Sequence, residues 1–215
     1  MNSASMMQIT DLWVSEDPAA WQDAVKRYWS FVKPRNLDLE KSLDSLDIER
    51  IRRLDAWGWY DFLRAEYFRW KYTAPNRFAT TTRQLQRYVD NEKLSDLDQI
   101  RKRLLALDTD DLRSGLKAAS AIHGLGTAGA SGLLALMYLQ KFGTVDQFAV
   151  KALRQVNALP EAEVLTRMNP YSLTVSDGVL VIGILRRKAA DNNHVFKSAI
   201  WTPRKLDMVL WTYGR

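Results

Sequence analysis

Cysteine is absent from this 215-residue chain, and histidine occurs only twice. Without a thiol there is no disulfide, no thiolate zinc site, no cysteine nucleophile and no cysteine-ligated iron–sulfur cluster; two histidines are too few for a histidine-only metal site. Long apolar runs are missing too. The longest, Val179 to Leu185, falls far short of the roughly 20 residues of a membrane-spanning helix. The opening stretch MNSASMMQITDLW carries neither a basic n-region nor an apolar h-region, so no secretory leader is read there. Repeats of fixed period and low-complexity tracts are also absent, which argues against a solenoid or a long linker. The expectation is a soluble monomer with no membrane partner and no metal, in the cytoplasm or on the nucleoid.

What is present is the balance of a globular protein: 47% hydrophobic and 26% charged residues. The length suits one domain, or two lobes sharing one polypeptide. Lys and Arg number 31 against 25 Asp and Glu, for a net charge of +6, a surplus that suits an anionic partner. The first fifty residues are acidic on balance, so the excess lies later in the chain.

Helical spacing runs throughout. Pro18 opens a helix on which Trp21, Val25, Tyr28, Trp29 and Val32 form one stripe, ended by Lys33-Pro34. Leu39, Leu43 and Leu46 mark a second helical segment and residues 48–56 a third, and Gly58 is expected to break the chain before a helix over 59–70. Further helices are expected at about 81–91, 96–107, 110–121, 127–140, 145–157, 161–167, 176–190 and 203–212, the last with Thr202 as N-cap and Pro203 at its first position. The fold class predicted is all-α.

The most informative stretch is Ile122 to Leu136, IHGLGTAGASGLLAL. Gly124-x-Gly126-x-x-Gly129 formally matches the dinucleotide-binding fingerprint, but that motif requires a preceding strand, and the residues before it, DDLRSGLKAASA, favour a helix. A helix-hairpin-helix fits better: a helix, the tight turn Ile122 to Gly126, and a second helix from Thr127. Its alternate glycines let the backbone turn sharply and leave amides at the second helix's N-terminus for phosphate oxygens. An αα-hairpin whose glycines serve only close packing is the competing reading.

After the second helix comes Lys141-Phe142-Gly143-Thr144-Val145-Asp146, with Lys151 following. Here the sequence resembles the helix-hairpin-helix DNA glycosylase superfamily, which includes endonuclease III, the adenine glycosylase acting opposite oxidised guanine, and the 8-oxoguanine glycosylases. Ile122 to Gly126 matches that family's L-P-G-V-G hairpin with His123 for proline. Val145-Asp146 with Lys151 matches its Val-Asp-x-x-x-x-Arg segment with lysine for arginine. The resemblance implies Asp146 as the catalytic carboxylate and Gly124, Leu125, Gly126, Thr127 and Lys151 as DNA contacts. It implies two helical lobes with a cleft between them: 1–75 plus 142–215 from both chain ends, and 76–141 in the middle ending in the hairpin. It implies no required cofactor, with a monovalent cation at the hairpin turn as an optional companion. Strand-cutting members carry a lysine where Ala128 stands, so the implied enzyme is monofunctional: it flips a damaged, modified or mispaired base out of double-stranded DNA, hydrolyses its N-glycosidic bond and leaves an abasic site. The chemistry suits one carboxylate, because breaking that bond builds positive charge on the deoxyribose. The residue-level alternative is that Asp146 only caps a helix.

Trp57 to Arg87 interleaves aromatic and basic residues. Arg64, Arg69, Lys71, Arg77, Arg83 and Arg87 offer charge to phosphates, and aromatic faces can stack on an extruded base. Trp57, Trp59, Tyr60 and Trp70 are the candidates for a base pocket, and Arg77 for a phosphate contact. By the same resemblance, Lys71 or Tyr72 is the wedge that fills the gap left by a flipped nucleotide. Thr80, Thr81 and Thr82 are read as caps of the following helix, either contacting phosphate as well or only capping it. The other functional readings are a non-catalytic helix-hairpin-helix DNA-binding protein and, third, a nucleotide-binding enzyme.

Overall fold

A computed structural model describes residues 7–215; residues 1–6, on which part of the leader reading falls, lie outside the described residues. Among the described residues every regular element is helical, as expected: α1 (Ile9–Val14), α2 (Pro18–Phe31), α3 (Pro34–Asp44), α4 (Ile48–Arg53), α5 (Ala56–Asp61), a π-helical segment (Phe62–Tyr67) running into α6 (Phe68–Lys71), α7 (Pro75–Asp90), α8 (Leu94–Leu105), α9 (Leu112–Ser120), α10 (Thr127–Met137), α11 (Gln147–Leu153), α12 (Ala162–Arg167), α13 (Val175–Val195) and α14 (Pro203–Gly214). Among the described residues no helix is long and apolar enough to cross a membrane.

Local chemistry explains most boundaries. The side chains of Asp17, Asp47, Asp55, Asp111 and Asp146 accept hydrogen bonds from the first-turn amides of α2, α4, α5, α9 and α11. Thr174 and Asp177 form a reciprocal capping box on α13. Prolines stand in the first turn of α2, α3, α7 and α14, where the missing N–H costs nothing.

Three expectations are corrected. Gly58 does not break the chain: Asp55 accepts from its N–H at 2.7 Å, so the cap starts α5 upstream of the glycine. Thr80, Thr81 and Thr82 are interior to α7, which Pro75 starts earlier; Thr80 bonds back to the Asn76 carbonyl and Thr81 is buried. The helix over 59–70 is interrupted by the π-helical segment, whose wider turn shifts the phase of everything after it. Phe62, Leu63, Tyr67 and Phe68 are buried there, while Trp70 and Lys71 are only partly covered.

At the centre lies α10. All of its residues except Ala128 are buried, which requires packing on every side; α9, α13 and α14 lie against it. α14 is buried almost as completely and packs on α2, α11 and α13. Nearly all the buried apolar residues form one continuous cluster from Ile9 to Leu210. It joins Leu85, Leu97 and Leu116 of the expected middle segment to Trp21, Leu185 and Leu206 from the two chain ends.

α9, the turn and α10 make the hairpin. Because a helix and not a strand precedes the glycines, the dinucleotide-binding reading fails its context test. Gly124 has φ +93°, and a Cβ there would stand 2.8 Å from Thr81 Cγ2 and 3.0 Å from the Thr81 carbonyl of α7. His123, in place of the family's proline, stacks on Tyr88 with ring centroids 4.2 Å apart, and Tyr88 Oη donates to the Ala121 carbonyl at 3.1 Å. Gly126 has open space around its Cβ position. Gly124→Ala is expected to destabilise the protein by about 2 kcal/mol and Gly126→Ala by less than about 0.5 kcal/mol. Urea unfolding of the two variants checks this; equal losses would contradict it.

Candidate active site

Asp146 is held from both sides. The Val145 N–H donates to Ser131 Oγ of α10 at 2.9 Å, and the Thr144 N–H donates to Asp207 Oδ2 of α14 at 2.6 Å. Asp146 itself is the N-cap of α11: Oδ1 accepts from the amides of Phe148 and Ala149 at 3.0 and 3.2 Å. Its other oxygen, Oδ2, lies 3.3 Å from Lys71 Nζ. Capping therefore occupies one carboxylate oxygen and leaves the second to the lysine.

Lys71 reaches that position over α10. A Cβ on Gly132 would come within 3.4 Å of Lys71 Cδ and 2.9 Å of Tyr67 Oη, and one on Gly129 within 2.5 Å of Tyr72 Oη. The two glycines thus make room for Tyr67, Tyr72 and the lysine stem. Tyr67 donates to the Gly129 carbonyl, anchoring the π-helical segment to α10.

Asp146 and Lys71 line a cavity of about 340 Å³ with residues of α2, α3, α6, the α10–α11 connection and α14. That volume is within the range of small-molecule sites. Aromatic lining comes from Tyr28, Phe31, Trp70, Phe148 and Trp211, and Thr73 and Asn36 add polar groups. The lining includes no residue of 76–141; the cavity is built from the two chain ends, not from an opening between them and the middle segment.

Beneath it sits a buried ionic cluster. Arg204 donates to Asp207 at 2.7 Å and to Glu40 at 3.0 Å, with Asp44 at 3.5 Å. Tyr28 donates to Glu40 Oε1, and Trp70 Nε1 to Glu40 Oε2 at 2.6 Å. Burial works against the Arg204 charge, but the surrounding acids and the Tyr28 phenol outweigh it and hold the guanidinium protonated. Burial pushes the Asp207 carboxyl up to about 6, against the opposing pull of Arg204 and the Thr144 N–H.

The sequence-expected residues divide clearly. Asp146, Lys71 and Trp70 meet at the cavity. Trp59 is fully buried and stacked on Phe62, Tyr60 is buried with its hydroxyl on Gln86, and Trp57 is exposed; none of the three lines the cavity, because α5 packs on α8 away from it. Neither wedge candidate projects outward. Lys71 is turned in to Asp146, and Tyr72 packs on Phe68 with its hydroxyl 3.4 Å from the Gly124 carbonyl. Leu125 and Thr127 are buried, and the Leu125 N–H is already bonded to the Ile122 carbonyl, whereas Gly124 and Gly126 are exposed. Lys151 lies half-buried beside the Phe148 and Tyr171 rings. Arg64, Arg69, Arg77, Arg83 and Arg87 are exposed.

Local sequence patterns do not mark Glu40, Tyr28, Arg204 and Asp207 as site residues. The one available signal was Arg204 and Asp207 at i, i+3 beside inward-facing Leu206 and Leu210.

Three carbonyls of the hairpin turn have hydrogen-bond partners within the protein. Ala121, Ile122 and Gly124 oxygens already face the Tyr88 hydroxyl, the Leu125 N–H and the Tyr72 hydroxyl. Among the described residues no group of three or more His, Asp or Glu side chains is placed to hold a metal ion.

Asp207 carries a testable pH signature. Its folded value, about 6, lies above the unfolded value of about 3.9, so the folded state holds the proton more tightly. Its contribution to stability is fully present below the unfolded value and lost as pH rises through about 6. Unfolding free energies measured across that window are expected to show this fall, and Asp207→Asn is expected to remove it; an unchanged slope in the variant would assign the titration elsewhere.

No family model matches the chain, and no curated protein or solved structure is similar to it at a significant level, so its function has to be argued from the geometry of this cavity and hairpin.

Proposed function

We propose that this protein is a monofunctional DNA glycosylase. The observation that carries the reading is Asp146: a carboxylate with one oxygen bound to helix amides and the other at the cavity beside Lys71, on the connection that leaves the hairpin helix α10. The exposed backbone at Gly124 and Gly126 and the N-terminus of α10 would take a DNA phosphate without reading sequence. The exposed arginines between 64 and 87 would add non-specific attraction to the duplex.

A base in the cavity would be gripped by aromatic faces such as those of Trp70 and Phe148. As its N-glycosidic bond stretches, positive charge grows at C1′ and the ring oxygen. Asp146, fixed by its cap bonds, stabilises that charge without having to reorganise and orients the water that attacks C1′. The products are a free base and an abasic site. Ala128 stands where strand-cutting relatives of the hairpin family carry a lysine, so cleavage of the strand is left out of the scheme.

A non-catalytic DNA-binding protein would use the same hairpin, and Asp146→Asn separates the two readings. On a panel of duplexes with deaminated, oxidised, alkylated and otherwise modified bases, the wild type is expected to release at least one, scored by alkaline cleavage. The variant is expected to lose at least about 10²-fold in rate while binding duplex with the same steep salt dependence. Salt-dependent binding with no base released by the wild type would leave the binding reading in place of the enzymatic one.

A further inference from the structure

The pairing of Asp146 with Lys71 has a chemical direction. Heterolysis of an N-glycosidic bond separates two charges: the sugar becomes cationic, and a neutral base leaves with the electron pair and becomes anionic. Asp146 Oδ2 and Lys71 Nζ, 3.3 Å apart in the cavity wall, present the two opposite charges side by side. Before reaction they neutralise each other. In the transition state each has a new counterpart, so the interaction grows as the bond breaks.

The remaining charge around the cavity favours the same class of leaving group. Five cationic side chains and three carboxylates line it. Arg204, one of the five, is engaged by two of the carboxylates, Glu40 and Asp207, and Lys71 by the third, Asp146, whereas Lys33, Arg35 and Arg215 are exposed at the rim. A base that is already cationic, such as an N7-alkylated purine, would be repelled. One that leaves as an anion would be held.

Resting on the glycosylase reading above, we propose that the cavity takes a neutral base that departs as an anion, and that Lys71 is a catalytic residue donating a hydrogen bond to it. The C1′–N bond breaks with its electron pair going to the base nitrogen. Lys71 Nζ–H donates to the acceptor beside that nitrogen, and water adds to C1′, giving up its proton to Asp146 and thence to solvent. The base regains a proton from Lys71 or solvent on release.

The test uses the full chain with duplexes carrying 5-substituted uracils of graded acidity, and with 7-methylguanine as the cationic comparison. Release is expected from the uracil series. Lys71→Gln should lower kcat there by about 10²-fold with little change in KM, and make the rate depend more steeply on leaving-group acidity, while Lys71→Arg restores part of the loss. Preference for 7-methylguanine, or an equal loss on both substrate types in Lys71→Gln, would overturn the proposal. A second measurement does not need turnover: free 5-nitrouracil, anionic at neutral pH, should quench tryptophan fluorescence in the wild type and bind at least about 10-fold more weakly to Lys71→Gln. Lys71-dependent binding of 5-nitrouracil with no base released from any duplex would sink the glycosylase reading and keep the anion site. Absence of that binding would sink the anion site, whatever the duplexes show.

Discussion

Arg204 is the group on which the architecture of the cavity depends. A guanidinium removed from water pays a desolvation penalty of several kcal/mol, and here it is met by Asp207 on its own helix, Glu40 and Asp44 on α3, and the Tyr28 hydroxyl on α2. The same carboxylates reach outward: Glu40 holds the Trp70 indole, and Asp207 holds the Thr144 amide two residues before Asp146. One buried cation therefore connects α2, α3, α6, α14 and the approach to α11. Ion pairs of this kind add little net stability compared with an apolar core, but losing one partner is severe, and their directional bonds fix where Trp70 and the Asp146 segment stand.

The second constraint is steric. α10 is surrounded, and its glycines let other side chains approach its backbone closely. Tyr67 and the stem of Lys71 lie where a Cβ on Gly132 would crowd them, and the Tyr72 hydroxyl lies where one on Gly129 would. The hairpin glycines act differently: Gly124 is needed for its positive φ and its contact with Thr81, whereas Gly126 leaves open space at the turn. Alternate glycines in IHGLG thus have separate tasks, one conformational and one concerned with access.

Much of the local structure was legible in the residues. Asp and Thr caps, first-turn prolines and the i, i+3, i+4 spacing of apolar side chains are short-range signals, and they located the starts of α2, α9, α10, α11, α13 and α14, while the ends of α10, α11 and α13 differ by three to five residues. The failures have local causes as well. Gly58 was outweighed by the cap at Asp55, the threonines at 80–82 by Pro75 upstream, and the single helix over 59–70 by a π-helical segment that no propensity announces. That segment changes which faces the later residues present, and the aromatic and basic stretch 57–87 divides across it: Trp59 and Tyr60 before it go to the core, Trp70 and Lys71 after it to the cavity.

By itself the sequence determined the all-α class, the hairpin with its two helices, and an aspartate at the start of the helix that follows, because each depends on interactions within about one turn of chain. Only the tertiary structure decided what that aspartate faces. Lys71 meets Asp146 across 75 positions, and Arg204 meets Glu40 across 164; such partners are set by how helices pack, and a charged side chain carries no sequence mark of which distant charge it will find. The packing also placed the cavity between the two chain ends and turned the two wedge candidates inward, because the glycines of α10 leave room for them there and nowhere along 57–72 does the local pattern record it.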